Sequence, residues 1–257
     1  MGLSRILPQI QNLSRYLPYF TLPPNKSSMN FFGAAIEHYF SNNMKSKYVY
    51  YRNCLQKKYN GESYEYDLGI YFRDWDNFYP LEKKLIERSY GNILDIGSCT
   101  GYYFPYLMQK GTLIGIEICP KINVIARKKG IYNCVTGNFL KYKFNRSFDT
   151  ITLIGNDIAL SGTLPRLKKF LKRFWELLND NGQVLLIFTN IKTLEYWQVV
   201  FTPHYNGHIG FPFKLLFLNK KFLEKKALKY GFHTKILGEG EILGNLSYLI
   251  KLKKTMR

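Results

Sequence analysis

The chain has little of several things that often announce a function. Among 257 residues there are four cysteines, Cys54, Cys99, Cys119 and Cys134, and four histidines. The cysteines form no C-x-x-C pair and no histidine cluster accompanies them, so neither a zinc site nor a disulfide framework is expected, and no metal is assigned. Carboxylates are scarce too: 18 Asp and Glu stand against 37 Lys and Arg, a formal net charge of +19. No apolar run is long enough to span a bilayer, and the beginning carries no signal-peptide core. Gly2 does not complete a myristoylation signal, because Ile6 stands where Ser or Thr is needed. The expectation is a cytoplasmic protein. No internal repeat and no low-complexity tract is present.

What is there is an ordinary globular composition, 46% hydrophobic and 17% aromatic. That is enough for one full core. The positive balance draws anions, among them nucleic acid. It reads equally as lysines spread over solvated helix faces.

Residues 1–65 read as an N-terminal helical arm or cap. Within 1–28, Leu3, Ile6, Leu7, Ile10, Leu13 and Leu17 recur near helical spacing, broken by Pro8 and ended by Pro18, Pro23 and Pro24. This arm either packs on its own domain or lies on a membrane surface or substrate. Phe32 to Phe40 is a helix candidate, 44–58 is basic and tyrosine-rich, and 64–75 is an aromatic connector. Residues 66–257 read as the main domain, in which Pro80 to Arg88 is a helix leading into the main motif.

From Asn92 the pattern becomes regular. β-rich runs at Asn92–Ile96, Thr112–Ile118, Tyr132–Thr136, Phe148–Ile154 and Gln183–Thr189 alternate with helices near Tyr102–Gln109, Lys121–Lys129 and Leu164–Leu178. Such alternation specifies a mostly parallel sheet with helices on both faces. Asn181-Gly182 reads as a helix-to-strand turn. Residues 191–218 interrupt the rhythm with aromatics, glycines and prolines and are expected to cover the substrate. Asn219 caps a helix through Lys229. Phe232–Leu237 and Leu246–Leu252 close the domain as antiparallel strands across a glycine-rich link.

The chemistry sits at Asp95-Ile96-Gly97-Ser98-Cys99-Thr100-Gly101, a buried strand ending in a turn that opens a helix. Ligands of doubly wound sheets lie at such strand ends. Gly97 lets the backbone turn and approach a ligand. Gly101 permits close packing of the next helix, whose free N–H groups face a carboxylate. Asp95 organises the loop or reaches a ligand amine. Glu117 ends the next strand, where a carboxylate accepts two hydrogen bonds from a ribose diol. The glycines are four apart, so the wider pyrophosphate fingerprint of nicotinamide enzymes is not met.

Asp95-x-Gly97-x-x-x-Gly101 resembles motif I of class I methyltransferases. Glu117 looks like their ribose acid, Gly137-Asn138-Phe139 is similar to their adenine-contacting segment, and Phe148 to Asp157 resembles their fourth strand and loop. Leu178 to Ile187 resembles the turn into the fifth strand. The resemblance covers residues 66–254. Phe31 to Ile36 and the Gly155-Asn156 loop further resemble a poorly characterised bacterial and archaeal branch. The resemblance implies a Rossmann-like α/β fold with a seven-stranded sheet whose last strand runs antiparallel, and S-adenosylmethionine as cofactor. It implies cofactor contacts at Tyr71, Asp95, Ile96, Gly97, Ser98, Gly101, Glu117, Ile118, Asn138, Phe139 and Asn156. Tyr71 and Trp75, upstream of the loop, read equally as closing over the cofactor or as packing against the sheet edge. Two residues depart from the pattern. Cys99 stands where glycine is usual and crowds the methionine end. Asn138 stands where aspartate is common, and its carbonyl oxygen can still meet an adenine amino group.

Asn156 and Asp157 then lie where the methyl faces its acceptor, to position a nucleophile or take its proton. His204 and His208, in the covering segment, are candidate general bases. The loop lacks the Asn-Pro-Pro-aromatic pattern of base-amine methylation, and there is no Pro-Cys nucleophile. A small-molecule or peptide methyltransferase acting on oxygen or nitrogen is therefore the first expectation. An RNA methyltransferase or RNA-binding module, with tyrosines of 46–71 stacking on bases, is the second. A non-catalytic partner subunit of the same fold is the third.

Overall fold

The computed structural model describes residues 24–54 and 61–254. The amphipathic run before Pro24 lies outside them. Helix α1 spans Pro24–Phe40 and α2 Pro80–Arg88. The main sheet contains β3 (Gly91–Ile96), β4 (Gly111–Glu117), β5 (Cys134–Thr136), β6 (Phe148–Leu153), β7 (Leu178–Thr189), β11 (Phe232–Ile242) and β12 (Asn245–Lys254). Its order is β11-β12-β7-β6-β3-β4-β5. β3 to β7 pair in parallel, and β12 runs antiparallel to both β7 and β11. The expected seven-stranded sheet with its last strand reversed is therefore present. The strand order turns at β3, with β4 on one side and β6 on the other, so a crevice opens at their carboxyl ends.

Sequence pattern accounts for most of this. Central parallel strands are covered on both faces and read as unbroken apolar runs. Ile93 and Leu94 of β3 and Ile151 and Leu153 of β6 have no exposed surface. Helix α5, Leu164–Leu177, buries Leu167, Phe170, Leu171, Phe174 and Leu177 and leaves Lys168, Lys169 and Lys172 in solvent. Burying each such apolar side chain contributes roughly 1.5–3 kcal/mol. Thr163 caps α5 by accepting the Arg166 N–H, and Asn219 caps α6, Lys220–Lys229, by accepting that of Lys221.

Several local expectations are corrected. The helix after the glycine loop shrinks to α3, Phe104–Leu107, followed by a 3-10 turn at Met108–Lys110. Four residues of helix do not make an anion-binding terminus. α4 starts at Pro120, with Cys119 as its cap, and ends at Lys128. Asn181-Gly182 lies inside β7, which starts at Leu178 and is irregular where it meets β6. The glycine-rich link after Leu237 is strand up to Ile242, with a bulge after Ile236.

The larger correction is a second sheet. The stretch expected as part of a helical arm carries β1 (Val49–Cys54) and β2 (Glu62–Glu65). The covering segment carries β8 (Tyr196–Tyr205), β9 (His208–Ile209) and β10 (Phe213–Leu218). All are joined in the order β10-β8-β1-β2, with β9 folded back on β8. Alternation sends Tyr48, Tyr50, Val199, Phe201 and Tyr205 into a shared core with Ala35 and Ile36 of α1, Ile122 and Ile125 of α4, and Cys99 of the glycine loop. The second sheet therefore roofs the carboxyl end of the first. Among the described residues no helix is long and apolar enough to cross a membrane.

Candidate functional site

The loop after β3 closes on itself. The N–H groups of Gly97 and Ser98 donate to the Ile116 carbonyl, at 2.9 and 3.3 Å, and that of Gly101 to Ser98 at 2.9 Å. The Cys99 N–H donates to Glu117 Oε2 at 3.1 Å, while Glu117 Oε1 accepts the Cys119 N–H at 2.8 Å. With these donors committed, the loop is no cradle for a pyrophosphate. Gly97 and Gly101 have φ of +76° and +70°, a left-handed backbone that glycine adopts without cost. A Cβ on Gly101 would stand 2.7 Å from Ile131 Cδ1. Cys99 adopts the same region, φ +46°, with a side chain.

What the loop offers instead is a group of buried carboxyl groups. Asp95 is buried and accepts the Thr152 hydroxyl at 2.7 Å. Burial, reinforced by Glu117, pushes it up to about 7. Burial also raises Glu117, against the backbone N–H groups that favour its charge. Asp157 is also driven well up, by burial first and then by Asp95 and Glu117. Its carboxylate lies 3.2–3.5 Å from where a Cβ on Gly97 would stand. Three carboxylates thus converge on one loop. Such a set accepts hydroxyl donors and favours a cation.

The remaining predicted residues divide. Tyr71 sits beside the loop: its carbonyl accepts the Thr100 hydroxyl, and its hydroxyl pairs with Tyr66 at 2.8 Å. Ile118 is exposed beside Glu117, a free apolar surface at the crevice. Ile96 is in the core, and the Ser98 hydroxyl turns away to Cys134 Sγ at 2.9 Å, so both present only backbone. Asn138 spends its carbonyl oxygen on the Leu140 N–H at 2.9 Å, and the Phe139 ring packs between Phe170 and Phe174. Asn156 is left-handed, φ +71°, and its side chain accepts the Thr189 N–H at 3.1 Å. Trp75 packs on Phe78 and Tyr106, away from the loop.

The histidines do not converge on the site. In β8 the core-facing residues are Val199, Phe201 and Tyr205, so His204 takes the opposite face, its ring 4.2 Å from that of Tyr51. His208 is exposed in a turn and bonds the Asn206 carbonyl at 2.6 Å. Tyr48 and Tyr50 are buried inward, which withdraws them from stacking on an external base.

Two side chains near the loop were not singled out in the sequence. Tyr66 packs in the cluster that holds Cys99, and burial, reinforced by Cys99 and Asp157, pushes its hydroxyl up to about 12. The spacing Tyr48-x-Tyr50 and Tyr64-x-Tyr66 is the strand signal that announces this face. Lys129 places its ammonium 3.4 Å from Thr100 Oγ1 and over the Phe72 ring. No local pattern marks it.

Residues 94–186 match a family described as a methyltransferase domain. A search of curated proteins gives no match. Among solved structures, an S-adenosylmethionine-dependent methyltransferase from Bacteroides fragilis in complex with S-adenosylhomocysteine is 21% identical, with a TM-score of 0.77, covering 91% of this chain and 98% of that one. An amino pentose methyltransferase from Micromonospora echinaspora is 12% identical over 68% of this chain and 89% of its own, TM-score 0.50. A sugar N-methyltransferase from Streptoalloteichus is 11% identical over 76% and 96%, TM-score 0.53. Residues 94–186 are thus similar to the methyltransferase-domain family, and the fold is that of the class I S-adenosylmethionine-dependent methyltransferases.

Proposed function

We propose that the protein transfers a methyl group from S-adenosylmethionine to an oxygen or nitrogen of a small molecule or peptide. One observation carries the reading: Asp95, Glu117 and Asp157 meet around a glycine loop whose N–H groups are already used. That site suits a cationic nucleoside and repels a pyrophosphate. Glu117 keeps lone pairs for the ribose hydroxyls, and Asp95 lies on the side of the amino group. Ile118 offers an apolar surface to adenine, with backbone of Asn138 and Phe139 beside it. Tyr71 covers the loop, and Lys129 supplies a cation for the ligand's carboxylate.

The cofactor brings an activated, sulfonium-bound methyl group. The chain's own contribution is to orient the acceptor, exclude water under the second sheet and manage the acceptor's proton. Orientation of this kind is worth on the order of 7–11 kcal/mol in well-aligned cases. The amino-sugar methyltransferases among the structural neighbours support the small-molecule choice. Calorimetry tests the reading. S-adenosylhomocysteine is expected to bind saturably to the parent protein and at least tenfold more weakly to Asp95→Ala. Absence of heat with the folded parent protein removes the assignment.

A further inference from the structure

Under the reading above Glu117 and Asp95 each have a partner in the cofactor, but Asp157 has none. Among the described residues no donor hydrogen-bonds its carboxylate and no cation pairs with it. Unpartnered, sheltered carboxylates are rare enough to require a reason. The strand-to-turn geometry holds it there deliberately: Gly155 and Asn156, both left-handed, reverse the chain after β6 and deliver Asp157 to the Gly97 side of the crevice. Gly97, Asn156 and Asp157 all retain accessible surface, so this is the open part of the site.

Packed around Cys99 of the same loop is a cluster of rings. Tyr66 and Tyr71 join hydroxyls at 2.8 Å, and Tyr66 is the ring within electrostatic reach of Asp157. Tyr50 packs edge-on to Tyr66 at 5.0 Å, and Phe32 edge-on to Tyr71 at 5.5 Å. Aromatic rings and one free carboxylate are the chemistry that recognises an ammonium group. A carboxylate acceptor would be repelled by three acids. A neutral hydroxyl would bring no charge to draw Asp157 into the ionised form that burial disfavours.

We propose that the acceptor is an amine, admitted as its ammonium ion, with Asp157 binding it and taking its proton, and with Tyr66 and Tyr71 as positioning residues. This rests on the cofactor reading above. The ammonium gives one proton to the Asp157 carboxylate. The freed nitrogen lone pair forms the new N–C bond as the S–C bond breaks, and the electron pair of that bond stays on sulfur. The products are the methylated ammonium and the neutral thioether, and the proton passes from Asp157 to solvent.

The test uses the full chain saturated with S-adenosylhomocysteine. Tetramethylammonium and tert-butanol, a neutral molecule of similar size, are titrated while ring signals are followed by NMR. Tetramethylammonium is expected to bind at least tenfold more tightly. Asp157→Asn is expected to bring the two within twofold, and Tyr66→Leu to weaken the cation at least threefold while S-adenosylhomocysteine affinity, read by calorimetry, stays within threefold. Equal binding of cation and alcohol in the parent protein overturns the proposal, and so does a preference that survives Asp157→Asn. Failure to bind S-adenosylhomocysteine sinks the cofactor reading instead, which separates the two.

Discussion

The Glu117 carboxylate and the Cys99 backbone N–H meet at 3.1 Å, joining the turn after β4 to the turn after β3. One side chain thus shapes the loop and, under the proposed function, binds the ribose. Glu117→Gln keeps an acceptor but sets an amide NH₂ against one of two N–H donors. S-adenosylhomocysteine affinity is expected to drop at least tenfold by calorimetry, and an affinity within twofold of the parent contradicts the role.

Cys99 occupies a left-handed backbone position, which costs a side-chain-bearing residue roughly 1 kcal/mol or more. Cys99→Gly removes that strain and clears space at the loop, so ligand affinity is expected to hold or rise. Cys99→Val places a β-branched residue at φ +46° and is expected to lower stability by about 2 kcal/mol in thermal or urea unfolding. A Gly variant that binds less tightly would show that the thiol contributes contact rather than crowding.

Asp95 titrates near 7 because it is buried, against 3.8 ordinarily. Between those values the folded protein holds a proton that the unfolded chain has released. Folding is therefore favoured by acid in that window and loses stability as pH rises, by up to about 1.4 kcal/mol per pH unit from one such group. Glu117 and Asp157, also raised, act in the same direction. Ligand-free protein is expected to melt lower at pH 8 than at pH 6, and the rise in Tm on adding S-adenosylmethionine to be larger at pH 8. A ligand-free Tm that climbs over this range would refute the assignment.

Thr152 donates its hydroxyl to Asp95 at 2.7 Å. Thr152→Val deletes the bond inside the core at a cost of about 1–3 kcal/mol. Because that bond favours the charged form, its loss is expected to steepen the pH dependence above. Melting curves of both proteins at several pH values decide it.

His204 stands on the outer face of β8 and His208 in an exposed turn. With an acceptor identified, His204→Ala and His208→Ala are each expected to leave kcat within twofold. A loss of a hundredfold in either would restore a histidine base.

The loop and its acid were legible because they are local. Asp95, Gly97 and Gly101 lie within seven residues and Glu117 ends the adjacent strand, so apolar runs and strand-to-turn spacing place them together. Asp157 follows the next strand of the same crevice for the same reason. The roof was not legible. β1 pairs with β8, Tyr50 opposite Pro203, across about 150 residues of chain. The tyrosine-rich segment read as an arm because a four- to six-residue strand carries too little periodicity to name its partner.

By itself, the sequence determined the alternation of strands and helices, the mostly parallel sheet that this implies, and the glycine loop beside two acids. Periodicity and turn chemistry act over short separations, and they suffice for these. Only the tertiary structure decided which polar groups remain available. It committed the loop N–H groups, turned Ser98 and Asn138 to other partners and put His204 on the far face. It also left the Asp157 carboxylate beside Gly97 with no hydrogen-bond partner among the described residues. Those outcomes depend on pairings between distant strands, which bury one face of each and so choose what every side chain meets.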